Sequence, residues 1–128
     1  MNIVYCDSSF KEACVVIPNV IGAEFPCLLL YPDAPLKSPN VGEYRAVLFA
    51  MKRAHVFSLK EIRILSDSQL VVRQVNGENK CKHAHLVALR DEVRAAMKTF
   101  IQCELEWISR EENLAGKVLE KRLGKTRQ

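Results

Sequence analysis

Apolar and polar residues follow one another along this chain with two distinct periods, and the changes between them mark its elements. Ile3 to Cys6 is a short apolar run that ends on Asp7, with the turn-like Ser8 and Ser9 behind it. Ala13 to Ile17 and Cys27 to Tyr31 read as two further strands, with Pro18, Asn19 and Gly22 punctuating the connection. Short links between these strands predict an antiparallel meander. The run from Asp33 to Asn40 then delivers the chain to a helix, in which Ala46, Val47, Ala50, Met51 and Ala54 recur at helical spacing. Asn40 reads as the N-cap of that helix and Glu43 as the second member of a capping box.

A fourth strand is predicted over Ile62 to Leu65. It runs into Asp67, and a helix carrying Leu70, Val71 and Val75 follows at once and stops at Gly77. The basic link from Asn79 to His85 leads into what reads as the longest helix, with Leu86, Leu89, Val93, Met97 and Phe100 three or four apart. Cys103, Leu105 and Trp107 alternate with Glu104 and Glu106, the period of a half-buried strand. After a turn from Ser109 to Asn113, a last helix carries Leu114, Ala115, Val118 and Leu119 and ends at Gly124. This order predicts an α/β domain over 1–128. Its sheet is mixed and five-stranded, with the first three strands antiparallel and helices on both faces.

Composition narrows the picture. A chain of 128 residues with 48% hydrophobic and 27% charged residues builds a core without staples. No apolar run approaches a membrane span and the start lacks a signal-peptide pattern, so the expectation is a cytoplasmic or nucleoid-like location with no membrane partner. Five cysteines with no C-x-x-C pair suit small buried hydrophobes in a reducing compartment. The net charge of +4 is modest, yet it is clustered. Lys80, Lys82 and Arg90 form one group, and Lys117, Lys121, Arg122, Lys125 and Arg127 form another over a basic tail at 121–128. Such groups fit a polyanion, and they also fit a solvated surface.

The candidate chemistry is carboxylate chemistry. Asp67 falls at the carboxyl end of a strand, where ligands bind in open α/β sheets, although an acid there also serves as a helix cap. Two readings of Glu43 compete: a capping Glu reaches back toward the helix start, the commoner case, whereas its alignment with Ala46, Val47 and Ala50 points it toward the sheet. Asp7 on the first strand is an expensive residue to bury without a compensating partner. The strand order allows the three to converge. His83 and His85 lie at a helix entrance with a spacing that does not share a helical face, which argues for surface residues over metal ligands.

The stretches NVGEYRAVLFAMKRA, SDSQLVVRQVNGE and ISREENLAGKVLE resemble type I ribonuclease H, in particular its short bacterial, archaeal and plant-like branch, and the similarity runs from Ile3 to Leu119. The resemblance implies a ribonuclease H-like fold and hydrolysis of the RNA strand of RNA/DNA hybrids by a carboxylate cluster with two divalent metals, magnesium or manganese. It implies no organic cofactor. Asp7 matches the acid that bridges both metals, and Glu43 and Asp67 match acids holding the metal on the leaving-group side. For the backbone and shape contacts such a substrate calls for, the candidates are Ser8, Asn40 and Gln69 near the acids, with Lys80, Lys82 and Arg90 further out, the outer basic residues also fitting a solvated surface.

The chain departs from that pattern in its last helix. The family reads Asn, two residues, Ala-Asp, one residue, Leu, whereas here Lys117 takes the fourth acid's place. An ammonium repels a cation and cannot ligate it. Glu111, Glu112 and Glu120 are the nearby acids that could substitute. Two other readings therefore stand beside the enzyme: a module that binds hybrid or structured nucleic acid with little or no cleavage, and a protein-interaction domain on the same fold.

Overall fold

The computed structural model describes residues 1–124 and shows one sheet with the strand order β3-β2-β1-β4-β5. The strands are β1 (Asn2–Ser8), β2 (Glu12–Val16), β3 (Cys27–Leu30), β4 (Glu61–Ser66) and β5 (Gln102–Trp107). The helices are α1 (Pro39–Val56), α2 (Gln69–Val75), α3 (Ala84–Met97) and α4 (Leu114–Arg122), with a 3-10 turn over Arg110–Glu112 before the last. β1 to β3 form the expected antiparallel meander, while β1, β4 and β5 run parallel. Parallel neighbours require crossovers, and α1 and the α2–α3 pair supply them.

Alternation along the strands decides which helix covers which face. Val4 and Cys6 of β1, Ala13 and Val15 of β2, and Ile62 and Ile64 of β4 join the main core with Tyr44, Val47, Ala50, Met51, Val71, Val93 and Leu105. The other side of β1 and β2 presents Tyr5, Cys14 and Val16, which pack against Ala115, Val118 and Leu119 of α4. Helices thus cover both faces, with α4 seated on β1 and β2. All five cysteines are free thiols. Burial pushes Cys14 up to about 12 and raises Cys6 as well, so both remain protonated, inert core residues at neutral pH.

Several element ends differ from the pattern reading. Asn40 is not the N-cap of α1. Ser38 is, because the residue before a proline is held out of the α region, and Pro39 takes the first helical turn, where no N–H is needed. The capping box therefore does not form, and Glu43 lies one turn into the helix. α1, with 18 residues, is the longest helix, against 14 for α3. α3 stops at Met97, and Phe100 is buried beyond its end, where its ring stacks on His55 at 4.1 Å. β3 closes at Leu30, so Tyr31 is a buried residue of the following loop. In β5 only Leu105 is fully buried, and Trp107 is exposed. Of the basic tail at 121–128, Lys125 and Arg127 lie outside the described residues.

Candidate active site

Parallel register brings the first two acids together. β1 and β4 pair from Asn2↔Ile62 to Tyr5↔Leu65, and the same step continued past the last pair sets Asp7 level with Asp67. Glu43 approaches from α1, which packs on β1. Carboxylate oxygens of Asp7, Glu43 and Asp67 all lie within 4.8 Å of one another. Asp67 is free to join them because the neighbouring Ser68 caps α2, its hydroxyl accepting from the Val71 N–H at 3.3 Å. The Trp107 indole N–H donates to the Asp67 carbonyl at 3.2 Å, tying the end of β5 to this turn.

Asn113 is the residue whose part the sequence did not reveal. It is fully buried, and its amide donates to the Cys6 carbonyl and to the Asp67 carboxylate, each at 3.0 Å. Its side-chain oxygen meanwhile accepts from the N–H groups of Ala115 and Gly116, capping α4. The signal was present as an Asn immediately before an apolar helical run, which reads only as a cap. Its second use depends on two strands distant in sequence.

Gly116 lets α4 come this close. A Cβ built there would stand 3.0 Å from Asp7 Oδ2 and 3.7 Å from Asp67 Oδ2. Lys117, one residue on, is exposed and forms no ion pair among the described residues. The acids that could replace a fourth ligand are elsewhere: the Glu112 carboxylate accepts from the Ser109 hydroxyl at 3.0 Å, Glu120 pairs with Arg110 at 3.5 Å, and Glu111 is exposed.

The cluster opens into a cavity of about 230 Å³ lined by Asp7, Ser8, Ser9, Phe10, Leu36, Pro39, Glu43, Asp67 and Arg110. Arg110 is a second residue that sequence reasoning passed over, a cation facing an acidic cleft. Ser8 is part of the wall, but its hydroxyl is engaged with the Tyr31 hydroxyl at 2.7 Å and the Ser9 carbonyl at 2.9 Å. Asn40 sits in the first turn of α1 outside this lining. Gln69 lines a neighbouring groove with Arg73, Asn76, Glu106 and Trp107, and Lys80 and Lys82 are exposed on the link between α2 and α3.

Crowding of like charges away from water sets the electrostatics. Burial, and then the Asp67 charge, raise the Asp7 carboxyl from 3.8 to about 6, against the opposing pull of the Ser8 N–H and the Arg110 guanidinium. Burial, followed by the charges of Asp7 and Asp67, also raises Glu43 above the usual carboxylate range. Glu43 Oε1 is buried with no hydrogen-bond partner among the described residues. Such a site favours a proton or a cation.

The fold is ribonuclease H-like. The chain belongs to the reverse transcriptase-like family, whose model matches residues 27–122. Over 74 residues it is 35% identical to the "Bifunctional protein Rv2228c" of Mycobacterium tuberculosis and to the "Uncharacterized protein Mb2253c" of Mycobacterium bovis; the match takes in 58% of this chain and 20% of each relative. This chain thus spans about a fifth of the length of those relatives. Among solved structures, RNase H1 from the halophilic archaeon Halobacterium salinarum superposes with a TM-score of 0.79 at 21% identity, covering 98% of both chains. LC11-RNase H1 in complex with an RNA/DNA hybrid gives 0.78 at 22% identity over 96% of this chain and 99% of that one. The N-terminal RNase H domain of Rv2228c, solved as a fusion with maltose-binding protein, gives 0.73 at 24% identity over 95% of both.

Proposed function

We propose that this chain hydrolyses the RNA strand of RNA/DNA hybrids with a divalent cation, magnesium or manganese, held by Asp7, Glu43 and Asp67. The observation that carries this reading is the convergence of three carboxylates from β1, α1 and β4 within 4.8 Å, at the carboxyl ends of parallel strands. Asp7 is only 8% exposed there. A purely structural cluster of this kind is costly, since each buried charge repels the others. The hybrid in the LC11-RNase H1 structure supports the same substrate class.

The residues fit a hard cation. All three side chains offer oxygen, and the unpartnered Glu43 Oε1 is a donor atom with nothing to bind among the described residues. When bound, the ion stabilises charge on the phosphoryl oxygens and activates water near neutral pH. The chain's own groups do the rest. Asn113 fixes the orientation of the Asp67 carboxylate, Gly116 leaves room beside Asp7, and Arg110 lines the cleft as a fixed positive charge for a phosphate. Ser8, Asn40 and Gln69 near the acids, with the exposed Lys80 and Lys82, are the proposed contacts to the two strands; such contacts read backbone and shape rather than bases.

A second reading, hybrid binding without efficient cleavage, is favoured by one specific observation. The fourth acid's place holds Lys117, and the acid cluster includes none of Glu111, Glu112 and Glu120. Cleavage of a labelled hybrid with magnesium or manganese separates the two. Cutting by the wild type, abolished in Asp7→Asn, supports the enzyme. An inert wild type together with an active Lys117→Asp variant supports the binding module.

A further inference from the structure

We infer that Phe10 is a stacking platform for an unpaired nucleobase, so the chain selects nucleic acid that presents an unpaired base beside the acids (a flap, an overhang or a bulge) over an uninterrupted duplex. This deepens the proposed hybrid substrate and rests on that reading.

Phe10 lies in the turn between β1 and β2, three residues past Asp7, and is 52% exposed. A lone exposed aromatic is ordinary on a protein surface. This one lines the same cavity as Asp7, Glu43 and Asp67, where Leu36 and Pro39 add further apolar surface. Its ring stacks on no other aromatic ring and no guanidinium among the described residues.

The backbone beneath the ring is fixed from both sides. The Phe10 carbonyl accepts from the Leu36 N–H at 2.7 Å, and the Lys11 carbonyl accepts from the Tyr31 N–H at 2.9 Å. Within the turn the Ser9 N–H donates to the Glu12 carbonyl at 2.9 Å, while the Ser9 hydroxyl oxygen accepts from the N–H groups of Lys11 and Glu12, both at 3.3 Å. Phe10 thus projects from a turn whose backbone is already ordered, so little backbone ordering remains to oppose binding.

Chemistry then selects the ligand. Inside a duplex both faces of a base are covered by its two neighbours and only its edges reach the grooves. Away from the duplex ends a phenyl ring therefore stacks on a base that has left the helix, as in the recognition of splayed or single-stranded nucleotides. The cavity of about 230 Å³ falls below the roughly 300–1,000 Å³ of pockets for drug-sized ligands, which suits one base rather than a longer segment. Arg110 in the same lining supplies the cation for the adjoining phosphate.

The test uses two RNA/DNA hybrids that differ in a short unpaired RNA flap carrying 2-aminopurine, titrated with the whole chain in metal-free buffer at low salt. Stacking predicts that the wild type binds the flapped hybrid roughly five- to a hundredfold tighter than the blunt one and quenches the 2-aminopurine. In Phe10→Ala the ratio of the two affinities falls to near one and quenching is lost, while Phe10→Tyr and Phe10→Trp restore both. A thermal melt confirms that each variant is folded. Equal wild-type affinity for the two hybrids, or a ratio that survives in Phe10→Ala, overturns the platform and leaves hybrid binding standing. Absence of binding to either hybrid removes the proposed substrate class and this inference with it.

Discussion

Asn113 and Asp67 meet across 46 positions of sequence through one hydrogen bond, from the buried amide to the carboxylate at 3.0 Å. The same amide caps α4 and holds the Cys6 carbonyl of β1. One side chain thus joins the last helix, the central strand and an acid of the site.

Replacing it tests that junction. Asn113→Ala removes a helix cap and leaves a buried carbonyl without its donor, so unfolding in urea should show a loss of about 2 to 4 kcal/mol. Manganese affinity, measured by titration on the still-folded variant below its melting range, should fall too, because Asp67 loses its orienting donor. A stability loss with unchanged metal affinity would confine Asn113 to the cap.

The acid cluster should make the metal-free protein sensitive to pH. Asp7 is raised from 3.8 to about 6, chiefly by burial. A carboxyl raised in the folded state contributes stability that is fully present below its unfolded value and is lost as pH rises through the folded value. Stability should therefore decline as pH rises from about 4 through 6, as the Asp7–Glu43 pair gives up its proton. Calorimetry in chelator should show a decline of that sign, reduced in Asp7→Asn. Magnesium or manganese should raise the Tm more at pH 7.5 than at pH 5, where protons compete for the same oxygens.

Gly116 predicts an opposition between helix propensity and space. Alanine gains at most about 0.5 to 1 kcal/mol over glycine in a helix, less in the first turn where Gly116 lies, but its Cβ falls 3.0 Å from Asp7 Oδ2, and crowding a packed site costs about 1 to 3 kcal/mol. Gly116→Ala should be destabilised by up to about 2 kcal/mol in urea and should bind manganese more weakly. An unchanged metal titration would show that Asp7 can move aside.

On β2, fully buried Glu12 is paired by Arg122 of α4 through two hydrogen bonds of 2.8 and 2.9 Å. Removing only the guanidinium, as in Arg122→Met, strands a carboxylate in the core and should lower the Tm clearly. Glu12→Met combined with Arg122→Met should recover much of that loss, because an apolar side chain in place of the buried Glu12 avoids the desolvation cost of its carboxylate. A double variant no more stable than the single one would mean that the pair itself, rather than its isolation, matters.

The sequence made the sheet legible because β4 and the three-stranded meander of β1, β2 and β3 carry compact apolar runs that end on polar turns. The convergence of Asp7, Glu43 and Asp67 was also legible, since strand order places the ends of β1 and β4 together and helical spacing turns Glu43 inward. The start of α1 was misread because Asn40 and Glu43 imitate a capping box, while the decisive constraint is the steric effect of Pro39 on Ser38. Phe100 keeps helical spacing with Met97, yet it is buried after the helix has ended, where it packs into the main core. The parts of Asn113 and Arg110 depend on a cleft assembled from distant segments, which no local period encodes.

The way α4 is fastened has a mechanical consequence. It behaves as a short beam, roughly 14 Å long at 1.5 Å per residue, bolted at one end through Asn113 and at the other through Arg122. A beam fixed at both ends cannot roll about its own axis, so the direction in which Gly116 faces Asp7 is governed partly by a joint at its far end. Loosening the Glu12 bolt should therefore blur the geometry of the acids without touching any of them.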